Sequence, residues 1–277
     1  MNIRFLLERE KSMRLRAICA AHRLSAFVLA SFLILTVFKS PAAWAGPPFI
    51  TDDPEPVEHH HGEFYVASQY ADNEEGKEGT LPHFEFNYGV VPDVQLHVLI
   101  PFMYVHPNGG ATAYGFGDTE VGVKYRFLHE GDATPQVGVF PIMHLPTGDA
   151  DRGLGNRHVP FFLPVWLQKS WGRWTTYGGG GYWINPGEGN KNFYQIGWLV
   201  QRSITNALAI GAEIFSFGQD TENGRGRTGY NVGGIFNLSE DHHLLFSAGS
   251  DLSGDNKLSS YIAWQWTFGP HEQVKKE

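Results

Sequence analysis

Between Glu120 and Phe127 the chain alternates: Glu120, Gly122, Lys124 and Arg126 fall on one face, and Val121, Val123, Tyr125 and Phe127 on the other. A repeat of two is the repeat of a strand, whose successive side chains point to opposite faces. Leu258 to Phe268 follows the same rule, with Leu258, Ile262, Trp264, Trp266 and Phe268 opposite Ser259, Ala263, Gln265 and Thr267. Beyond residue 45 no useful length of chain carries apolar residues at i, i+3, i+4 and i+7, which excludes a helical architecture. The alternating segments predict twelve strands, near 63–70, 81–91, 94–104, 115–128, 134–145, 158–170, 173–184, 193–204, 207–217, 228–238, 242–250 and 258–268.

The connections alternate as well. Pro92-Asp93, 129–133, Trp171-Gly172, Thr205-Asn206 and 239–241 are short, whereas 71–80, 105–114, 146–157, 185–192, 218–227 and 251–257 are longer and rich in Gly, Asp and Asn. Short turns at one rim, long loops at the other and an even strand count are the signature of a transmembrane, antiparallel, up-and-down β-barrel. Ten residues at roughly 3.3 Å, tilted by about 40°, rise about 25 Å, the height of a membrane barrel's apolar band. The face opposite the apolar one is rich in Gly, Gln, Asn and charge, too polar for the core of a soluble sandwich. The fold class expected is all-β, with the barrel over 63–268.

The ends add a destination. Leu24 to Phe38 is apolar, follows Arg14, Arg16 and Arg23, and precedes Ala43-Trp44-Ala45. This is the plan of a secretory signal, residues 1–45, cleaved after Ala45, with Met13 as an alternative start. Residues 46–62 are expected to be a periplasmic segment capping the barrel mouth, and 269–277 a polar tail. After residue 45 there are 14 basic and 27 acidic residues, an acidic balance that argues against nucleic acid or an anionic surface as partner. The sole cysteine, Cys19, falls within the leader. The 232 residues after Ala45 are nearly consumed by twelve strands and their loops, leaving no room for a plug domain.

Three stretches suggest a family: GPPFITDDPEPVEHHHGEFYVASQY (Gly46 to Tyr70), YGFGDTEVGVKYRFL (Tyr114 to Leu128) and PTGDADRGLGN (Pro146 to Asn156). In these the chain resembles the bacterial outer-membrane β-barrel family labelled for the MetA-pathway of phenol degradation, often called transporter-like. The resemblance implies an outer-membrane barrel and points toward an aromatic substrate. It brings no catalytic residues with it.

Alternation places Glu85, Asn87, His97, Glu120, Lys124, Arg126, Gln136, His144, Gln195, Glu213, Asn231 and Gln265 toward the lumen. Such a set either filters solutes or fills and stiffens the interior with ion pairs. His59, His60 and His61, with Asp52, Asp53, Glu55 and Glu58 nearby, are the candidate metal ligands, since imidazoles suit divalent transition metals. Consecutive residues seldom converge on one ion, and a segment at the barrel mouth is the competing reading. Gly178 to Gly181 is no phosphate loop, because no helix or GK[ST] follows; in a strand it allows curvature and close approach of aromatic rings. No GxSxG elbow is present. The expectation is a non-enzymatic outer-membrane channel or facilitator for small aromatic or hydrophobic solutes, with lipid and solute as partners and no cofactor. A rim hydrolase and a closed structural barrel are the alternatives.

Overall fold

The computed structural model describes residues 47–270. The expected signal, with its two possible starts and its cysteine, and residues 271–277 of the tail lie outside the described residues. Twelve antiparallel strands close into a barrel: β1 (Gly62–Asp72), β2 (Gly76–Val91), β3 (Val94–Pro107), β4 (Ala113–Phe116 and Thr119–Leu128), β5 (Gln136–Val139 and Ile142–Leu145), β6 (Phe161–Trp171), β7 (Trp174–Ile184), β8 (Phe193–Ser203), β9 (Leu208–Phe217), β10 (Arg227–Asn237), β11 (His242–Ser253) and β12 (Leu258–Phe268). Each strand pairs with the next, and β1 pairs with β12 from Gly62 opposite Phe268 to Asp72 opposite Leu258, so the ladder has no open edge. Closure matters because an unpaired backbone group in hydrocarbon costs several kcal/mol.

Two strands are interrupted. β4 breaks at Gly117-Asp118, opposite Pro101 of β3, and β5 breaks at Phe140-Pro141. Proline has no ladder donor, so it falls at such interruptions. The neighbouring strands partly repair them: the amide of Gly117 donates to the Pro101 carbonyl at 2.9 Å and that of Val123 to the Pro141 carbonyl at 3.1 Å. Asp118 makes its break useful. Its carboxylate accepts from the backbone amides of Gly148 and Asn156, and fully buried Leu154 packs on Gly115. The loop 146–157 is thereby pinned to the broken strand, joining two of the three motif stretches.

The barrel is apolar outside and polar inside. Val123, Val165, Ile196, Trp198, Val200 and Val232 are exposed on the outer face, while Glu85, Asn87, Lys124, Gln136, Glu213 and Gln265 are buried. That inversion is what a lipid-embedded barrel requires. The Gly178 to Gly181 run behaves as expected. A Cβ on Gly178 would come within 2.5 Å of the Trp198 ring, and one on Gly179 within 3.2 Å of Trp166. Among the described residues no helix is long and apolar enough to cross a membrane.

Candidate functional site: a polar lumen entered by residues 47–61

Within the segment expected to cap the mouth, residues 47–61 do more than that. From the short-turn end, where the His60 amide donates to the Gly89 carbonyl at 2.8 Å, the chain climbs inside the barrel as an extended filament. The Val57 amide donates to Gln95 Oε1 at 2.8 Å, and Glu55 Oε2 accepts from Gln136 and Gln168 at 3.1 and 2.8 Å. Above these, the Lys124 ammonium holds Asp52 at 3.0 Å and the fully buried Asp53 at 3.4 Å. Higher still, the Glu213 carboxylate accepts from the amides of Ile50 and Thr51 at 2.9 and 2.8 Å, and Ser247 Oγ donates to the Pro48 carbonyl at 2.6 Å. Where the sequence suggested no room for a plug domain, this short segment occupies the lumen on its own.

Two features of the sequence make that possible. Pro47, Pro48, Pro54 and Pro56 stiffen the filament and lack amide donors that a lumen would otherwise have to satisfy. The wall is carved for it by inward glycines. A Cβ on Gly197 would strike Thr51 Oγ1, one on Gly211 would lie 3.2 Å from the Phe49 ring, and one on Gly138 would lie 3.0 Å from Pro54. A Cβ on Gly89 would collide with the carbonyls of Val57 and Glu58.

The twelve lumen candidates sort into groups. Lys124, Arg126, Gln136 and Glu213 face the filament, with Asn231 Nδ2 donating to Glu213 at 2.6 Å and the Arg126 guanidinium 3.9 Å from Glu55. Glu85, Asn87, His97, Glu120 and His144 form a chain along β2 to β5. Asn87 Nδ2 donates to Glu85 at 2.8 Å, His97 spans Asn87 Oδ1 at 2.7 Å and Glu120 Oε1 at 2.9 Å, and His144 Nε2 lies 3.0 Å from Glu120 Oε2. Gln195 accepts from the Trp183 indole at 2.9 Å, and Gln265 donates to the Tyr65 hydroxyl at 2.8 Å. Sequence reasoning missed Asp52, Asp53 and Glu55 as lumen groups, and it missed Gln95, Gln168 and Ser247, which hold the segment. The usable signal was the set of glycines at inward strand positions.

In the structure the three rings of His59, His60 and His61 are not gathered as a set of three ligands. His60 takes a left-handed turn conformation (φ 65°), His59 and His60 stack at 3.6 Å, and His61 turns back to the His59 carbonyl at 3.2 Å. Among the described residues no group of three or more His, Cys, Asp or Glu could hold a metal ion.

The filament leaves space above it. A cavity of about 600 Å³ lies toward the long-loop end, floored by Pro47 to Ile50 and Asp52. Its walls include Thr80, His83, Glu85, His97, Glu120, Phe140, Arg227 and Tyr261. The side toward β5 to β7 is filled instead by aromatic rings, with Phe140, Phe162 and Trp166 buried and Trp183 stacked on Phe162 at 4.7 Å. The open part of the lumen is therefore an off-centre, mixed polar and apolar chamber.

Solved structures with the same architecture are outer-membrane proteins. The COG4313 outer membrane channel from Pseudomonas putida F1 superposes with a TM-score of 0.60 at 17% identity, over 83% of this chain and 100% of that one. The NanC porin follows at 0.52 and 10% identity, over 75% and 100%. The KdgM porin, solved in complex with disordered oligogalacturonate, gives 0.51 and 8% identity, over 74% and 99%. At these identities the likeness establishes the fold. No curated protein matches the sequence significantly. Residues 83–265, containing most of the barrel and the His97–Glu120–His144 chain, match the family described as "Putative MetA-pathway of phenol degradation", and the chain belongs to that family.

Proposed function

We propose that the protein is a channel of the bacterial outer membrane that passes small, uncharged or weakly polar solutes, and that residues 47–57 gate it. The observation that carries this reading is the lumen itself: its wall is polar, a chamber of about 600 Å³ opens above the filament, and hydrogen bonds and ion pairs, with no covalent link, hold the filament across the path. Short turns and the entry of the filament then lie on the periplasmic side, as in bacterial barrels generally. The family's description and the channel likeness agree with passage of small molecules. The acidic lumen, with Asp52, Glu78, Glu85 and Glu120 against Arg227 around the chamber, favours neutral or cationic solutes over anions. The mixed lining, with Phe49, Leu99, Met103 and Phe140, suits solutes with an apolar or aromatic part.

One observation favours a second reading. A filament anchored by Glu213, Lys124 and Gln95 could close the lumen permanently, leaving a structural barrel. Swelling of liposomes carrying the purified barrel separates the two. A channel admits small neutral solutes at rates that fall with solute size; a closed barrel leaves every rate at that of empty liposomes.

A further inference from the structure

On the outer face, the short-turn end of β6 to β8 carries two arginines without a counter-charge. Along β8 the outward row is Ile196, Trp198, Val200 and Arg202, all exposed, whereas Leu199 and Gln201 between them are buried on the lumen side. The Arg202 guanidinium lies over the ring of its cross-strand neighbour Trp174, 5.1 Å from the centroid, and makes no hydrogen bond or ion pair among the described residues. Arg173, in the turn before β7, gives one guanidinium N–H to the Ile204 carbonyl at 2.8 Å and is otherwise exposed. The Ser203 amide donates to the Arg173 carbonyl at 2.9 Å, so the two arginines flank one backbone contact. Among the described residues no carboxylate pairs with either. Glu213, the one acidic residue in β6 to β9, binds the filament inside the lumen, and the turns 171–173 and 203–207 contain neither Asp nor Glu. Glu130, on the preceding turn, is engaged by Lys169 at 2.9 Å. With 14 basic against 27 acidic residues after residue 45, such a patch reverses the balance of the chain.

Depth sharpens the problem. Arg202 stands four positions from Trp198, the middle residue of β8. At roughly 3.3 Å per residue and a tilt of about 40°, its Cα lies about 10 Å from the midplane, within an apolar band about 25 Å tall. A guanidinium at that level reaches outward to the interface and takes an anion there. Trp171 and Trp174, both exposed beside it, mark the headgroup level. We infer that Arg173 and Arg202 form a binding site for the phosphate of an anionic phospholipid in the periplasmic leaflet, with an acyl chain lying along Trp198 and Val200. The planar guanidinium fork matches phosphate oxygens, and the Trp174 ring orients one such fork. A zwitterionic lipid fits less well, because its phosphate comes with an ammonium and the patch has no carboxylate to receive one. The choice of leaflet rests on the orientation given above, with the short turns in the periplasm; the choice of a phosphate does not.

The test is native mass spectrometry of the full-length folded barrel, released from micelles holding equal amounts of phosphatidylglycerol and phosphatidylcholine with the same acyl chains. The wild type is expected to retain phosphatidylglycerol in preference. Arg202→Gln and Arg173→Gln should each reduce that preference about fivefold. Lys191→Gln, which removes an exposed cation in the long loop 185–192, should leave it unchanged. Equal retention of the two lipids by the wild type, or a preference that survives in the double variant, overturns the proposal. Arg202→Gln breaks no hydrogen bond within the described residues, so it decides the matter if Arg173→Gln does not fold. A parallel mixture of phosphatidylglycerol and lipid A tests the leaflet. Stronger retention of lipid A, lost in the same two variants, would overturn the periplasmic placement and the orientation behind it while leaving the solute path untouched.

Discussion

At the scale of single residues, Lys124 is the hinge of the lumen's electrostatics. Its ammonium is buried and faces two carboxylates, one of them fully buried. Removing one partner of a buried charge pair typically costs about 3–5 kcal/mol, because the other charge stays behind unpaired. Lys124→Met is therefore expected to undock residues 47–57 while the barrel stays closed. Limited proteolysis should show cleavage near Asp53 in the variant and protection in the wild type. A second residue-scale prediction concerns Asp93, in the turn between β2 and β3. Although partial burial opposes ionisation, hydrogen bonds from Arg126 at 2.9 and 2.8 Å and from His129 at 2.9 Å hold its carboxyl below the ordinary 3.8. A carboxylate with a lowered pKa contributes stability above its unfolded value and loses it as pH falls through the folded one. Asp93→Asn tolerates the positive φ of 65° found there. It should unfold at a lower temperature than the wild type at pH 7, and the gap should close below about pH 4. Thermal shifts in gel mobility, read across pH, check this.

At the scale of elements, the strands were legible because period-two alternation in β4 and β12 leaves little choice of face. Strand ends were not. β2, β3 and β11 run on to Gly76, Pro107 and Ser253, where the residues leave the apolar band and alternation no longer reports pairing. The interruptions at Gly117-Asp118 and Phe140-Pro141 were hidden for a related reason: the flanking residues keep their alternation, and the repair comes from neighbouring strands. The filament was the larger omission. Asp52, Asp53 and Glu55 read as an acidic surround for three histidines, since nothing local shows that Lys124, Gln136 and Gln168 wait for them more than seventy positions away. The inward glycines were the long-range clue. Gly197→Val would place a side chain where Thr51 sits, in a strand that favours valine. The barrel should keep its heat-dependent mobility shift, and amide exchange over 47–57 should rise at least tenfold.

At the scale of the whole molecule, polar groups are inside and apolar groups outside, which places the protein in lipid. Val232 lies in the middle of β10 and is half exposed on the outer face. Val232→Arg should lower barrel stability by about 2–4 kcal/mol, the depth-dependent cost of a cation at mid-membrane. Refolding into lipid vesicles against urea measures it. Strand number and closure could be read from sequence. The occupancy of the lumen could not, because it depends on which distant side chains meet.

The central claim is that this lumen is a solute path gated by residues 47–57, and single-channel recording in planar bilayers tests it most directly. The intact barrel should show small or intermittent currents, and the barrel lacking residues 47–57 a steady, severalfold larger conductance with cation preference. A deleted barrel that is folded, inserted and electrically silent would contradict the account.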